Sequence, residues 1–314
     1  MTSFPIIDLH QDLLLHIRGR ERYGQNRQTD YALIRESRAK IVVATAFPDP
    51  PADNYFDPIT NDLIERDFIE YGQHVQQTAG WTLVTQATDI DRVMTDNALH
   101  GLLLHIEGLN VMPSWERLEQ WYVLGWRSLG PVWNLTNALG GGTLDDKLGL
   151  TSLGREMVTW LQAHRMIVDF AHMNAPTFWD ATKLVQGPII VSHGNAHACC
   201  VNPRNYTDEQ LKHVASTDGV VGVFFAKNFI TGRHLPATVK DVADHIDHFR
   251  KIMGMEHIAL GTDFGGIITG VIEGLESLDC LPALWKELEM RGYTQQEMEQ
   301  IAWKNAARIL RTIL

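Results

Sequence analysis

Cysteine is scarce in this chain of 314 residues; only Cys199, Cys200 and Cys280 occur. Two are adjacent and the third is distant, which gives neither a disulfide framework nor a Cys-x-x-Cys metal pair. Reduced thiols fit a cytoplasmic home. Long hydrophobic runs are absent as well. No apolar stretch reaches the roughly 20 residues of a membrane-spanning helix. No basic segment followed by an apolar one opens the chain, so neither a membrane anchor nor a signal peptide is expected. Positive charge is in deficit: 27 Lys and Arg stand against 38 Asp and Glu, for a formal net charge of −11. Lys and Arg are scattered rather than clustered, which argues against nucleic acid as a partner.

Repeats, low-complexity tracts and Pro/Ser-rich linkers are also missing, and a single domain over residues 1–314 is expected. What recurs is a short apolar run followed by a longer amphipathic segment. Pro5–Leu9, Ile41–Ala46, Leu102–Ile106, Ser128–Trp133, Ile167–Ala171, Ile189–Ser192, Val220–Phe225 and Ile258–Gly261 read as strands. Their apolar character is continuous rather than alternating, as in strands covered on both faces. Helix-like segments lie between them at 152–165, 207–216 and 238–254, with a capping box at Thr207–Gln210 and a helix stop at Gly254. Strands alternating with helices in this number predict an α/β fold of the (β/α)8 TIM-barrel type; a doubly wound open sheet is the alternative. The Pro- and Asp-rich segment 49–61 predicts a loop excursion over the barrel.

Metal-ligand side chains recur at the strand ends. His10 and Asp12 follow the first run, Glu107 the third, His172 the fifth, His193 the sixth and Asp263 the last. In an α/β barrel those ends converge on one mouth, where active sites are built. Imidazole with carboxylate and no thiolate suits zinc, manganese or iron in a hydrolytic site. His10, Asp12, Glu107, His172 and His193 exceed the three protein ligands of a single catalytic zinc. Such a set suits two metals that share a carboxylate and a hydroxide, leaving Asp263 to move a proton. Singly, each of these residues reads equally well as a core histidine or a helix-capping acid; their joint placement is what points to a metal site. His245 and His248 are spaced like a metal pair but interleave with acids, which reads as a solvated or supporting helix face. His105 reads as a supporting residue behind Glu107. Leu139–Thr143 (LGGGT) lacks the Gly-Lys-Ser/Thr of a phosphate loop and reads as a mobile loop beside the mouth.

In this order, "IIDLHQD", "HIEG", "GWRSL", "LGLTSLGREMV", "IVDFAHMN", "IIVSHGNA", "PRN", "DHIDHF" and "HIALGTDFGG" resemble the membrane (renal-type) dipeptidase family, binuclear zinc peptidases of the amidohydrolase superfamily. The resemblance spans most of the chain. It implies a barrel, usually a homodimer, that hydrolyses dipeptides with two zinc ions. By that resemblance His10 and Asp12 bind one zinc, His172 and His193 the other, and Glu107 bridges them. Asp263 matches the acidic proton-handling residue, and Arg204 matches the arginine that holds the substrate's terminal carboxylate, for which a guanidinium fork is suited.

One position departs from the family. Where its well-known members carry a substrate-contacting histidine, this chain has Trp133 followed by Asn134. An indole has one donor and no acceptor, so Trp133, Asn134 or another donor must meet the substrate there. The departure keeps open an amidohydrolase-type metal hydrolase acting on a different small amide, an N-acyl-amino acid or a lactone.

Overall fold

A computed structural model describes residues 4–23, 27–47, 61–232, 236–267 and 270–314. Its strands are β1 (Ile6–Gln11), β2 (Ala39–Ala46), β3 (Trp81–Leu83), β4 (His100–Glu107), β5 (Trp126–Gly130), β6 (Ile167–Val168), β7 (Ile190–Gly194), β8 (Val220–Val223) and β9 (Ile258–Leu260). They pair in the order β6-β5-β4-β2-β1-β9-β8-β7. A parallel bridge between Asp169 and Ile190 joins the two ends of that order, with the Phe170 amide donating to the Ile190 carbonyl at 2.9 Å. The eight strands therefore curl into the expected barrel, and the open-sheet alternative falls.

The short β3 was not foreseen. It pairs with β4 at His100–Leu102, on the edge that β5 takes over from Leu104 onward. Other expected strands shift at their ends. β5 stops at Gly130, before Pro131, which has no amide hydrogen to continue a ladder. β6 and β8 stop at Val168 and Val223, where the chain turns toward the mouth.

The continuous apolar runs are explained by two buried layers. In β2, Ile41 and Val43 join one apolar cluster while Val42, Ala44 and Ala46 join the other. Successive strand residues face opposite sides, so both sides must be apolar. Thr45 follows on the Ile41/Val43 side and lies 3.3 Å from His10 Nε2, so that side leads up to the ligands.

The foreseen helix signals are realised. The Thr207 side chain caps Asp208–Ser216 in a full capping box, and Val239–Met253 ends at Gly254 with φ 89°. Residues 48–60, which hold nearly all of the expected loop excursion, lie outside the described residues; Asn61 begins the helix Asn61–Gln77. Among the described residues no helix is long and apolar enough to cross a membrane.

Candidate active site

Adjacent strands deliver the first two candidate ligands. His10 is on β1 and Asp12 just beyond it, while the Asp263 amide donates to the His10 carbonyl and the Asp12 amide to the Phe264 carbonyl, both at 3.0 Å. This pairing lays the segment after β9 against the end of β1. The His10 Nε2 consequently lies 3.9 Å from Asp12, 3.6 Å from Glu107 and 3.7 Å from Asp263. Glu107, the last residue of β4, turns its Oε1 to within 2.9 Å of His172 Nε2 and 3.3 Å of His193 Nε2. Those two imidazole nitrogens are themselves 3.0 Å apart. All six residues expected at the mouth are thus brought together.

Two of them hold an unusual backbone. His172 and Asp263 both have φ 62°, the left-handed region that costs a side-chain-bearing residue energy. Each lies just past a strand, where that turn redirects the side chain inward. Gly266 completes the corner: a Cβ there would sit 2.2 Å from Asp12 Oδ2 and 2.6 Å from Asp263 Oδ1.

The donor set fits divalent metal. Glu107, His172 and His193 form one group whose ligand atoms lie within 4.8 Å of one another, and His10, Asp12 and Asp263 form a second. Asp12 Oδ1 and His10 Nδ1 are buried without a hydrogen-bond partner. Burial raises Asp12, Glu107 and Asp263 well above the ordinary carboxylate range, and each is raised further by a neighbouring carboxylate. Burial likewise holds His10, His172 and His193 well below the ordinary imidazole value. Three closely grouped acids, two buried and Asp263 largely enclosed, are unfavourable as anions by themselves, and a dication reverses that balance.

A second layer holds these candidate ligands, and most of it has no signal in the sequence. Ser192 Oγ lies 2.8 Å from His193 Nδ1 and donates to Asp169 Oδ2. Asp169 also accepts from the amides of Ser192 and Ala171, at 2.8 and 3.0 Å. The available signal was a buried acid inside an apolar run, "IVDFA", which has to be satisfied by donors. His105 takes the supporting place expected of it, 2.8 Å from Ser128 Oγ and 3.6 Å from Asp169. On the other side, Asn134 Oδ1 lies 2.9 Å from His172 Nδ1.

The mouth opens into a cavity of about 370 Å³, lined by Asp12, Glu107, His172 and Asp263 on one side. Its remaining walls are largely apolar, with Phe47, Trp133, Phe224 and Phe229 among them. The Trp133 ring is 5.4 Å from Phe47 and 6.1 Å from His172. Arg204 is buried and does not line this cavity. One guanidinium nitrogen donates to the His193 carbonyl at 2.9 Å, and Nε and Nη1 have no acceptor among the described residues.

Two expectations need correction. His245 is not solvated: it is buried, accepting from the Ala196 amide and facing the Ile230 carbonyl at 2.9 Å. His248 instead faces Asp208 at 2.7 Å. Leu139–Thr143 is not loose either; all five residues are buried. The glycines permit that packing, because a Cβ on Gly142 would lie 2.0 Å from the Trp133 carbonyl oxygen.

Comparison with known proteins agrees with the geometry. The family model of the membrane dipeptidases, peptidase family M19, matches residues 1–314. An uncharacterized protein of the pqqA 5′ region of Klebsiella pneumoniae is 35% identical over 269 residues, covering 82% of this chain and 97% of its own. An uncharacterized dipeptidase of Schizosaccharomyces pombe is 30% identical over 338 aligned positions, covering 99% and 81%. The fold matches, with a TM-score of 0.89 at 24% identity over the full length of both chains, a metallo peptidase of Rhodobacter sphaeroides liganded with a phosphinate mimic of the dipeptide L-Ala-D-Ala. A metal-dependent hydrolase by its family, this chain belongs to the membrane dipeptidases.

Proposed function

We propose that the protein is a binuclear zinc dipeptidase whose whole span, residues 1–314, works as one barrel domain. The observation that carries this reading is the position of Glu107. Its Oε1 is within 3.6 Å of imidazole nitrogens from both ligand groups, His10 on one side and His172 with His193 on the other. In this reading His10 and Asp12 hold one zinc, His172 and His193 the other, and Glu107 is shared. Two such cations supply a Lewis acid for the scissile carbonyl and an acidified water as nucleophile.

The chain's own residues do the rest. Asp263 takes the proton of the attacking water on a carboxylate oxygen; the water oxygen bonds to the carbonyl carbon as the C–N bond breaks, and Asp263 returns the proton to the departing amine. The place of Asp263 in the cavity wall, beside Asp12 and His10, supports that role. Arg204 would hold a substrate carboxylate through a paired fork, a reading supported by its uncommitted Nε and Nη1. Trp133 and Asn134 line the substrate space, whose volume of about 370 Å³ suits a dipeptide-sized ligand.

The free state of Cys199, Cys200 and Cys280 supports a cytoplasmic location. Exposed Leu135, Leu144 and Leu148 offer apolar surface for the homodimer that the family suggests. A second reading, hydrolysis of an N-acyl-amino acid, another small amide or a lactone, draws on the aromatic wall at Trp133. Rates on dipeptides, N-acyl-amino acids and lactones, with and without a chelator, separate the two. Chelator-sensitive dipeptide hydrolysis as the dominant activity is expected. Faster turnover of an acyl-amino acid or lactone selects the second reading, and dipeptide turnover indifferent to chelation overturns the metal-dependent scheme.

A further inference from the structure

His172 and His193 are held in different ways. The His193 ring is backed by Ser192 and, behind it, the buried carboxyl of Asp169, neither of which lines the cavity. The His172 ring is backed by a neutral amide, Asn134, which itself lines the cavity. An imidazole that ligates through one nitrogen carries its proton on the other and needs an acceptor for it. His172 turns Nε2 toward Glu107 Oε1 and His193, so its proton belongs on Nδ1. The Asn134 oxygen at 2.9 Å is that acceptor; an amide nitrogen there would oppose donor to donor.

With the oxygen committed, the Asn134 NH2 is left over. It makes no hydrogen bond among the described residues, and Asn134 lines the cavity. Both ends of the Asn134–His172 contact are fixed by one segment: the Leu144 amide donates to the Asn134 carbonyl at 2.8 Å, and Thr143 Oγ1 to the His172 carbonyl at 3.0 Å. Gly142, between Trp133 and Met173, packs too closely to allow a Cβ. The amide is thus held in place before substrate arrives, as a group that stabilises developing charge has to be.

We propose that Asn134 has two tasks: its oxygen positions His172 for metal ligation, and its NH2 donates to the oxygen of the scissile carbonyl as negative charge develops there. This rests on the dipeptidase reading above and adds to it the group that meets the substrate oxygen.

Two variants separate the tasks. Asn134→Asp keeps an oxygen for His172 but cannot donate, whereas Asn134→Ala removes both functions. Metal affinity is read by competition with a chromophoric chelator, and kcat and KM on a dipeptide are read separately. Asn134→Asp is expected to keep metal affinity within about threefold of the parent while kcat falls about 100-fold. Asn134→Ala is expected to lose about 10- to 100-fold in metal affinity as well. Unchanged metal affinity in Asn134→Ala, or unchanged kcat in Asn134→Asp, overturns the proposal. If the parent protein hydrolyses no dipeptide in the presence of zinc, the dipeptidase reading fails, and the metal-affinity comparison still decides whether Asn134 positions His172.

Discussion

His172 Nε2 and Glu107 Oε1 are 2.9 Å apart, although one lies past β6 and the other ends β4. Two strands meeting at a barrel mouth, plus a left-handed turn at His172, create that contact. It ties an acid with raised proton affinity to an imidazole with lowered affinity, both displaced first of all by burial. The site is therefore built for a cation that compensates buried carboxylates. The expected consequences reach beyond the ligands themselves.

Asp169 accepts from two amides and the Ser192 hydroxyl while fully enclosed. Replacing it with Ala strands those donors, at a cost of about 1–3 kcal/mol for each one left unsatisfied. Denaturant unfolding of metal-free Asp169→Ala should therefore show a loss of at least about 2 kcal/mol. A loss below about 0.5 kcal/mol, the size of an ordinary surface change, would contradict the role assigned to it.

Gly266 leaves no room for a methyl group beside Asp12 and Asp263. In Gly266→Ala one or both carboxylates must move away from His10. Overpacking of this kind costs about 1–3 kcal/mol, and here it falls on the ligand oxygens. Metal affinity by chelator competition should drop more than about tenfold, as when a supporting residue is lost. Affinity equal to the parent would mean that the corner is not rigid.

Arg204→Lys keeps the charge but not the fork. Hydrogen bonds to charged groups contribute about 1.5–3 kcal/mol, so KM for a dipeptide should rise roughly 10- to 100-fold. The same dipeptide with its C-terminus amidated should respond much less. Equal effects on both substrates would remove the carboxylate from the role proposed for Arg204.

His245 makes stability depend on pH. Burial lowers its proton affinity below the usual 6.5, opposed by the Ile230 carbonyl and Asp244 and aided by His248. As pH falls below about 6.5, the unfolded chain takes up a proton that the folded chain refuses, so stability falls. The loss continues until the lowered folded-state value is reached, and this group contributes nothing above about 6.5. Unfolding free energies measured from pH 7 to pH 5 should decline, and His245→Gln should flatten that slope by up to about 1.4 kcal/mol per pH unit. An identical slope in the variant would place the pH dependence elsewhere.

The candidate ligand set that the barrel brings together was legible because strand ends are marked by apolar runs, and residues of metal-ligand type at several of them are an unlikely accident. His10, Asp12, Glu107, His172, His193 and Asp263 could be named that way, together with the alternation that makes a barrel. Apart from His105, the supporting layer was not legible. Ser192 and Asn134 are ordinary polar residues in sequence, and only three-dimensional contact joins them to imidazoles. The strand β3 is too short to carry a periodic signal. Leu139–Thr143 looked mobile because glycine suggests freedom, whereas here its missing side chain permits close packing against Trp133. His245 misled for the opposite reason: acids surround it in sequence, yet the helix turns it inward.

Metal analysis of the purified protein beside Glu107→Gln, with dipeptide hydrolysis followed through chelation and zinc return, tests the central claim most directly. The account predicts about two zinc ions per parent chain, hydrolysis lost on chelation and restored by zinc, and reduced zinc content with little turnover in the variant. Full metal content and full turnover in Glu107→Gln, or hydrolysis that survives complete metal removal, would contradict it.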